Sequence, residues 1–392
     1  MRLLSEIATI YSGNSIPQKK KEELFCGLDV GTPYVATKDV GSDHSIQYEN
    51  GVLIPETHTD SFKLAPANSV LICAEGGSAG KKVAHTDKDI HFVNKLFCVH
   101  PNEEMISKYI FYYFLSADFK LDFNNQLTGL IGGVSLKKFK NLCIPYTTLD
   151  EQKRIVTLLD TVFADLEQTR AKTEQNLKNA SELFDSYLEQ VFSQKGEGWV
   201  DKEIGDVAEL SRGHNPPKSE FIYEPREGYV RFYQIRDGKS DKFAVYVPEN
   251  SKLNYVNETD ILMVAYRHVG NAFRGVKGAF NVALCKIINK DKRTLNDDFL
   301  FHLIPSSFIK GELLKVSERS LIPSMSVKHL AQLKIPIPPP QKQDGIVRKI
   351  NIMEKECKRL ELIYKHKTEA IDEFKKSILQ KAFSGELTAK AE

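Results

Sequence analysis

From Glu151 to Ser193 the chain contains no Pro and no Gly, and apolar and polar positions alternate with a helical period. Leu159, Val162, Leu166, Thr169 and Thr173 step by three and four, the spacing of a coiled-coil seam. The series resumes at Leu177 and runs through Ala180, Phe184, Tyr187 and Val191. The two successive four-residue steps at Thr173 have the form of a stutter, a local adjustment of supercoil. Such a helix spans roughly 60 Å at ~1.5 Å per residue, and its apolar stripe needs a partner.

The partner lies in the same chain. Glu151-Gln152 is matched by Lys342-Gln343, where a second long run begins and continues to Ser384. The offset of 191 residues between Gln152 and Gln343 carries the whole first stripe onto Ile350, Met353, Cys357, Leu360, Tyr364, Thr368, Ile371, Lys375, Ile378 and Ala382. Lys375 is the single charged intrusion, and Phe192-Ser193 recurs as Phe383-Ser384. The pattern predicts an antiparallel or crossed pair of long helices forming a coiled-coil-like rod.

The repeat extends beyond the helices. Leu4-Ser5-Glu6-Ile7-Ala8-Thr9-Ile10-Tyr11-Ser12-Gly13 is echoed by Ile204-Gly205-Asp206-Val207-Ala208-Glu209-Leu210-Ser211-Arg212-Gly213, and Pro17 by Pro217. A short helix or turn ending at Gly13 or Gly213 fits both copies. Pro33-Tyr34-Val35-Ala36-Thr37-Lys38-Asp39 parallels Arg231-Phe232-Tyr233-Gln234-Ile235-Arg236-Asp237, a strand running into a basic-acidic pair. Ser69–Ala74 and Asp260–Ala265 read as buried strands, each entering a turn. Two further strands follow in each copy (91–93 with 96–99; 279–282 with 284–287), then short helices at Ile106–Leu115 and Asn296–Ile304. The helical spacing of Tyr109, Phe111, Tyr112, Tyr113 and Phe114, and of Phe299 and Phe301, assigns most of these rings to a core. Each copy closes alike, Gly129–Phe139 before Leu142-Cys143-Ile144-Pro145 and Ser320–Leu330 before Leu333-Lys334-Ile335-Pro336, with Ser135 and Ser326 placed as helix N-caps. Pro336, Pro338, Pro339 and Pro340 stiffen the approach to the second long helix and stop it extending backwards.

The reading is an α+β chain with a pseudo-twofold internal repeat: globular domain (1–148), long helix (149–195), similar globular domain (196–338), then long helix and tail (339–392). Composition changes this little. The formal net charge is +2, so any nucleic-acid contact must rest on local charge rather than on the sum. Six scattered Cys with no CxxC pair point to reduced thiols in a cytoplasmic protein. No apolar run reaches the length of a membrane span.

Catalytic motifs are absent. There is no HExxH, no GxSxG and no metal-spaced Cys-His cluster. Glu75-Gly76-Gly77-Ser78-Ala79-Gly80-Lys81-Lys82 lacks the Ser or Thr that a phosphate-cradling loop requires after its Lys, and the second copy loses most of the glycines. Asn215-Pro216-Pro217-Lys218 has Lys where an adenine methyltransferase places an aromatic, and reads as a rigid loop. No catalytic residue, cofactor or metal site is expected.

In this order the elements resemble the specificity (S) subunit of type I restriction-modification systems. The resemblance is carried by the Leu4–Gly13 opening, by Leu142–Pro145 with Glu151-Gln152-Lys153-Arg154-Ile155-Val156, by Leu333–Pro336 with Gln343 and Ile346-Val347, and by Ala382-Phe383-Ser384-Gly385-Glu386-Leu387. It covers essentially the whole chain. Asp344-Gly345 departs from it by replacing a Lys-Arg pair, and a Gly there is expected to delay or fray the second helix. The resemblance implies two target-recognition domains, each reading one half of a split double-stranded DNA sequence. It implies helices that set the gap between half-sites and dock two methyltransferase (modification) subunits, joined by restriction/translocase subunits in the full complex. The subunit itself would be non-catalytic. A duplicated interaction scaffold that does not bind DNA, and an enzyme with an unrecognised site, are the competing readings.

For a DNA reader, phosphate contacts come from Lys and Arg, and base contacts from polar side chains at loop tips. The candidates are Lys19, Lys20, Lys21, Lys38, Lys81 and Lys82 in the first domain, and Arg212, His214, Arg236, Tyr266, Arg267, His268 and Arg274 in the second.

Overall fold

The structure, a computed structural model, describes residues 1–387 except 130–131, 239, 251 and 318–324, with backbone alone at 314–317. Leu130-Ile131 and Ser320–Ser324 of the closing repeats, and 388–392 of the tail, therefore lie outside the described residues. The chain divides into two compact units, Met1–Thr173 with the segment from His366 on, and Glu174–Lys365. The divisions fall where each stripe takes its two successive four-residue steps. Each unit therefore holds one globular domain and one end of each long helix.

The long helices are Leu149–Ser193 and Pro340–Ser384, 45 residues each and related by the same offset that relates the stripes. Pro340 is the first helical residue, where a missing N–H costs nothing. Gly345 neither delays nor frays the second helix, contrary to expectation. Val347 and Ile350 bury just beyond it, and that burial outweighs the ~1 kcal/mol propensity cost of a helical Gly. All twenty stripe positions are buried or half-buried.

In the first unit one antiparallel sheet orders its strands Ala8–Ser12, Leu96–Pro101, Val70–Cys73 and Val83–His85. A second sheet orders Leu53–Ile54, Thr32–Val35, Ile90–Phe92 and Leu64–Ala65, with a parallel central pair joining Tyr34 to His91. Val70 and Ile72 enter the core beneath the helix Ser107–Leu115, while Leu71 and Cys73 face a second core with Val35 and Phe92. Burial on both faces explains the unbroken apolar run. Tyr109, Tyr112, Tyr113 and Phe114 are core residues, as their spacing indicates.

The first unit takes in the start of the first long helix through Ile155, Val156 and Leu159, and the end of the second through Leu379 and Ala382. Phe383 packs edge-on against Tyr109 and Tyr113, each 5.2 Å away. The two helix segments run antiparallel: Arg154 meets Leu387, Glu167 meets Lys375, and Arg170 meets Asp372. The charged intrusion Lys375 is thus paired with Glu167, and its ammonium lies 5.6 Å from the Phe163 ring centre.

The second unit repeats this plan. Its sheets order Ala208–Arg212, Leu284–Asn289, Ile261–Val264, Ala272–Phe273, and Tyr246–Pro248, Tyr229–Tyr233, Gly278–Phe280, Tyr255–Val256. The parallel pair recurs, joining Phe232 to Ala279. Phe192 packs on Phe299 at 5.5 Å, in a core shared with Leu188, Val347 and Ile350.

The opening of each copy differs from expectation. One helical turn, Leu4–Ile7 or Ile204–Val207, gives way to a strand before the glycine. Gly13 and Gly213 are required by close approach, since a Cβ at either would collide with the carbonyl oxygen of Phe92 or Phe280. Ser135 and Ser326 cap their helices, accepting from the backbone N–H of Lys138 and His329. Among the described residues no helix is long and apolar enough to cross a membrane.

Candidate nucleic-acid interface

The basic-acidic pairs fold identically in the two copies. Each follows the first strand of the parallel pair and forms a single 3-10 turn, Thr37–Asp39 or Ile235–Gly238. The acid turns inward. Asp39 Oδ2 accepts from Ala36 N at 2.8 Å and Asp237 Oδ2 from Gln234 N at 2.7 Å, and both residues are buried. The base turns outward, leaving Lys38 and Arg236 exposed. Burying the acid fixes the turn, and the turn fixes where the cation stands.

The copies differ in the acid's second oxygen. Arg231 Nη2 stands 3.1 Å from Asp237 Oδ1, an ion-pair contact rather than a hydrogen bond. Pro33 occupies the matching place in the first copy, and Asp39 Oδ1 is buried with no hydrogen-bond partner among the described residues. Asp39 lines a cavity of about 230 Å³ together with Lys21, Lys38, Tyr34, Asn50 and Gln18. The Lys21 ammonium lies 4.6 Å from the Tyr34 ring centre. Burial, then the neighbouring Lys38, pulls the Lys21 pKa down.

Lys82 Nζ donates to Thr37 O at 2.9 Å, tying the glycine-rich turn to the turn that carries Lys38. Lys21, Lys38 and Lys82 are therefore brought together. Lys81 Nζ donates to Gly77 O within its own turn at 3.1 Å. Lys19 and Lys20 sit on the exposed helix Gln18–Leu24, Lys19 at 3.7 Å from Glu23 and Lys20 at 5.8 Å from the Phe62 ring centre. The glycine-rich segment joins two antiparallel strands and opens no helix, so it lacks the helix N-terminus that a phosphate-cradling loop uses.

In the second unit Tyr266, Arg267 and His268 are all exposed on the turn between Ile261–Val264 and Ala272–Phe273. Arg267 has φ +65°, a left-handed conformation unusual for a residue with a Cβ. His268 lines a cavity of about 400 Å³ with Ile235 and Gly238, so this turn and the 3-10 turn of Arg236 share one recess. His214 is exposed beside Pro216 and Pro217, and Asn215 Oδ1 accepts from Val282 N at 3.2 Å, which holds that loop in place.

Two chosen arginines are engaged internally. Arg212 donates to Val282 O at 2.7 Å and to Met325 O, and burial lowers its pKa. Arg274 pairs with Asp298 at 2.5 Å and lies over Phe301, on the acidic wall formed with Asp297 and Glu258. Neither joins the recess holding His268. Sequence reasoning passed over Arg231 and Phe243. Arg231 closes on Asp237 and Asp241, and Phe243 stands exposed under Arg236. Both depend on contacts that residue spacing does not display.

The family described as type I restriction modification DNA specificity domain matches this chain at residues 1–177 and again at 196–369. A type I restriction enzyme MjaIX specificity subunit from Methanocaldococcus jannaschii is 22% identical over 84% of this chain and 80% of its own. The EcoBI specificity subunit of Escherichia coli is 22% identical over 98% of this chain and 85% of its own. Among solved structures, a chain from work on complex assembly and conformational transition of the type I R-M system superposes with TM-score 0.79 at 18% identity, covering 97% of this chain and 96% of that one. The HsdS subunit from Thermoanaerobacter tengcongensis gives 0.61 at 20% identity, covering 98% and 96%.

Proposed function

The chain belongs to the family of type I restriction modification DNA specificity domains, which it carries twice, and from that premise we propose that it recognises a bipartite DNA target and directs adenine methyltransferase and restriction subunits to it. The globular segments 1–148 and 196–338 each read one half-site, and the helices in 149–195 and 339–392 set the gap and dock two modification subunits. It acts in the cytoplasm and performs no chemistry of its own.

One observation carries the reading. Both copies use a buried acid, Asp39 or Asp237, to hold a neighbouring cation, Lys38 or Arg236, out in solvent. A duplicated cation on a fixed turn suits a ligand with two similar charged halves, as a split duplex site presents. Lys21, Lys82, Arg267 and His268 extend the two patches, with Lys19, Lys20, Lys81, His214 and Tyr266 at their margins.

The test is a salt titration of the complex assembled with its methyltransferase partners, on duplex DNA containing the site that complex methylates. The logarithm of affinity should fall linearly with the logarithm of salt concentration, by about 0.9 per neutralised phosphate. Affinity independent of salt, or no duplex binding at all, would return the chain to the scaffold reading. Turnover of a substrate by the subunit alone would make it an enzyme.

A further inference from the structure

Phe243 is 56% exposed. A lone exposed ring is ordinary on a protein surface, but this one is held in a built setting. Arg236 lies 5.5 Å from its ring centre and donates from Nη2 to the Phe243 carbonyl at 3.3 Å. The Lys242 ammonium lies 5.6 Å from the same ring. The segment beneath is pinned. Arg231 donates to Asp241 Oδ1 at 3.0 Å and to the carbonyls of Phe232 and Val245, and Ala244 N returns to Asp241 O at 3.0 Å. The side chain of Arg231 is only 10% exposed, so this anchor belongs to the domain's interior. The ring is therefore presented on a fixed base with two cations close to it.

We infer that Phe243 enters a base step of the second half-site and partly unstacks it, while Arg236 and Lys242 take the phosphates on either side. The inference rests on the DNA reading proposed above and gives that reading a distortion step. Charge complementarity selects the ligand. An apolar ring accompanied by two cations suits bases bordered by phosphates, whereas a docking protein would have to bring two acids to the rim of an aromatic pocket. Apolar wedges are a general means of kinking a duplex, and stacking on a base tolerates any sequence. Ser240-Asp241-Lys242-Phe243 displays none of this as sequence, because Arg236 and Arg231 reach the segment only through the fold.

The experiment uses the complex assembled with its methyltransferase partners and a duplex carrying its mapped methylation site. 2-Aminopurine replaces each purine of the second half-site in turn. The wild-type complex should raise fluorescence at one step other than the methylated adenine, whose own signal does not depend on Phe243. Phe243→Ala should abolish that rise and weaken binding roughly 5- to 100-fold. Phe243→Leu, which keeps an apolar wedge, should retain part of both. Specific binding with no enhancement outside the methylated adenine would overturn the wedge and leave the DNA reading standing. So would an enhancement that survives Phe243→Ala. Loss of methyltransferase association in Phe243→Ala, with DNA distortion intact, would reassign the ring to a protein contact. Failure of the wild-type complex to bind any duplex specifically would defeat the DNA reading itself.

Discussion

Among single residues, Arg267 is the sharpest candidate for reading a base. Its φ of +65° costs on the order of 1–2 kcal/mol, and among the described residues its exposed side chain makes no hydrogen bond that would repay the strain. Strain kept at an exposed loop tip is commonest at functional sites. Arg267→Ala should lower affinity and relax discrimination only in the half-site under the second domain, by ~1–3 kcal/mol if the guanidinium forms a bidentate base contact. Arg267→Gly should lose the same discrimination while slightly raising the domain's thermal midpoint, because Gly adopts this conformation freely. Binding to a library of altered half-sites reads the first effect. Uniform weakening on every sequence would make Arg267 a phosphate contact, and no change would make the turn an ordinary surface turn. Sequence reasoning found this turn because it follows an unmistakable buried strand. It could not sort Arg267 from Arg212 or Arg274. All three are arginines near strand ends, and only long-range partners, Met325 for one and Asp298 for the other, show that two of them are already engaged.

At the scale of elements, the long helices are positioned by their first turns as much as by their stripes. Gln152 is fully buried; its Nε2 donates to Glu104 O and Thr147 O at 3.0 Å each, and its Oε1 accepts from Ile106 N at 2.9 Å. Gln343 repeats the set, donating to Thr294 O and Pro338 O at 2.9 Å each and accepting from Asn296 N at 2.6 Å. Each Gln thus fastens the start of a long helix to the N-terminus of its domain's aromatic helix. Gln343→Leu would strand one buried donor and two acceptors and should destabilise the second unit by on the order of 3 kcal/mol. Hydrogen exchange should show faster opening at Asn296 and across Asp297–Leu303, with Ser107–Leu115 in the first unit unchanged. Equal loss of protection in both units would mean that the Gln acts through global stability rather than as a local clasp. The repeat made this pair visible, since Glu151-Gln152 and Lys342-Gln343 fall at one offset, but its role depends on carbonyls more than forty residues away. The opening strand was misread for a nearer reason. Leu4, Ile7 and Ile10 recur every three residues as on a helix face, yet Ala8–Ser12 pairs with Leu96–Pro101 and is a strand. A few ladder hydrogen bonds to a central strand override so short a periodicity.

For the whole molecule, the question is what the equal length of the two helices does. Each unit takes the start of one helix and the end of the other, so any change in one helix must be matched in its partner to preserve the stripes. Within the first unit the register joins Glu167 to Lys375 and Arg170 to Asp372. Carried three residues further, it brings Thr173 level with about residues 368–369. Four residues inserted between Thr173 and Leu177, and four between Tyr364 and Thr368, therefore lengthen both helices at one level, where the stripe already takes two four-residue steps. Each helix gains ~6 Å at ~1.5 Å per residue. Duplex DNA rises ~3.4 Å per base pair. If helix length sets the gap, the doubly extended protein should prefer a gap longer by about one or two base pairs, with both half-sites unchanged. Some affinity should still be lost, because four residues exceed one turn of ~3.6 by about a ninth of a turn. The measurement is methylation of a plasmid library with randomised gap length, read by sequencing, after confirming that the extended protein folds and holds its methyltransferase partners. A single insertion should do worse than the pair, since it slides one stripe past the other. If the doubly extended protein keeps the original gap, the helices do not measure DNA, and their matched lengths serve only to present two equivalent docking faces.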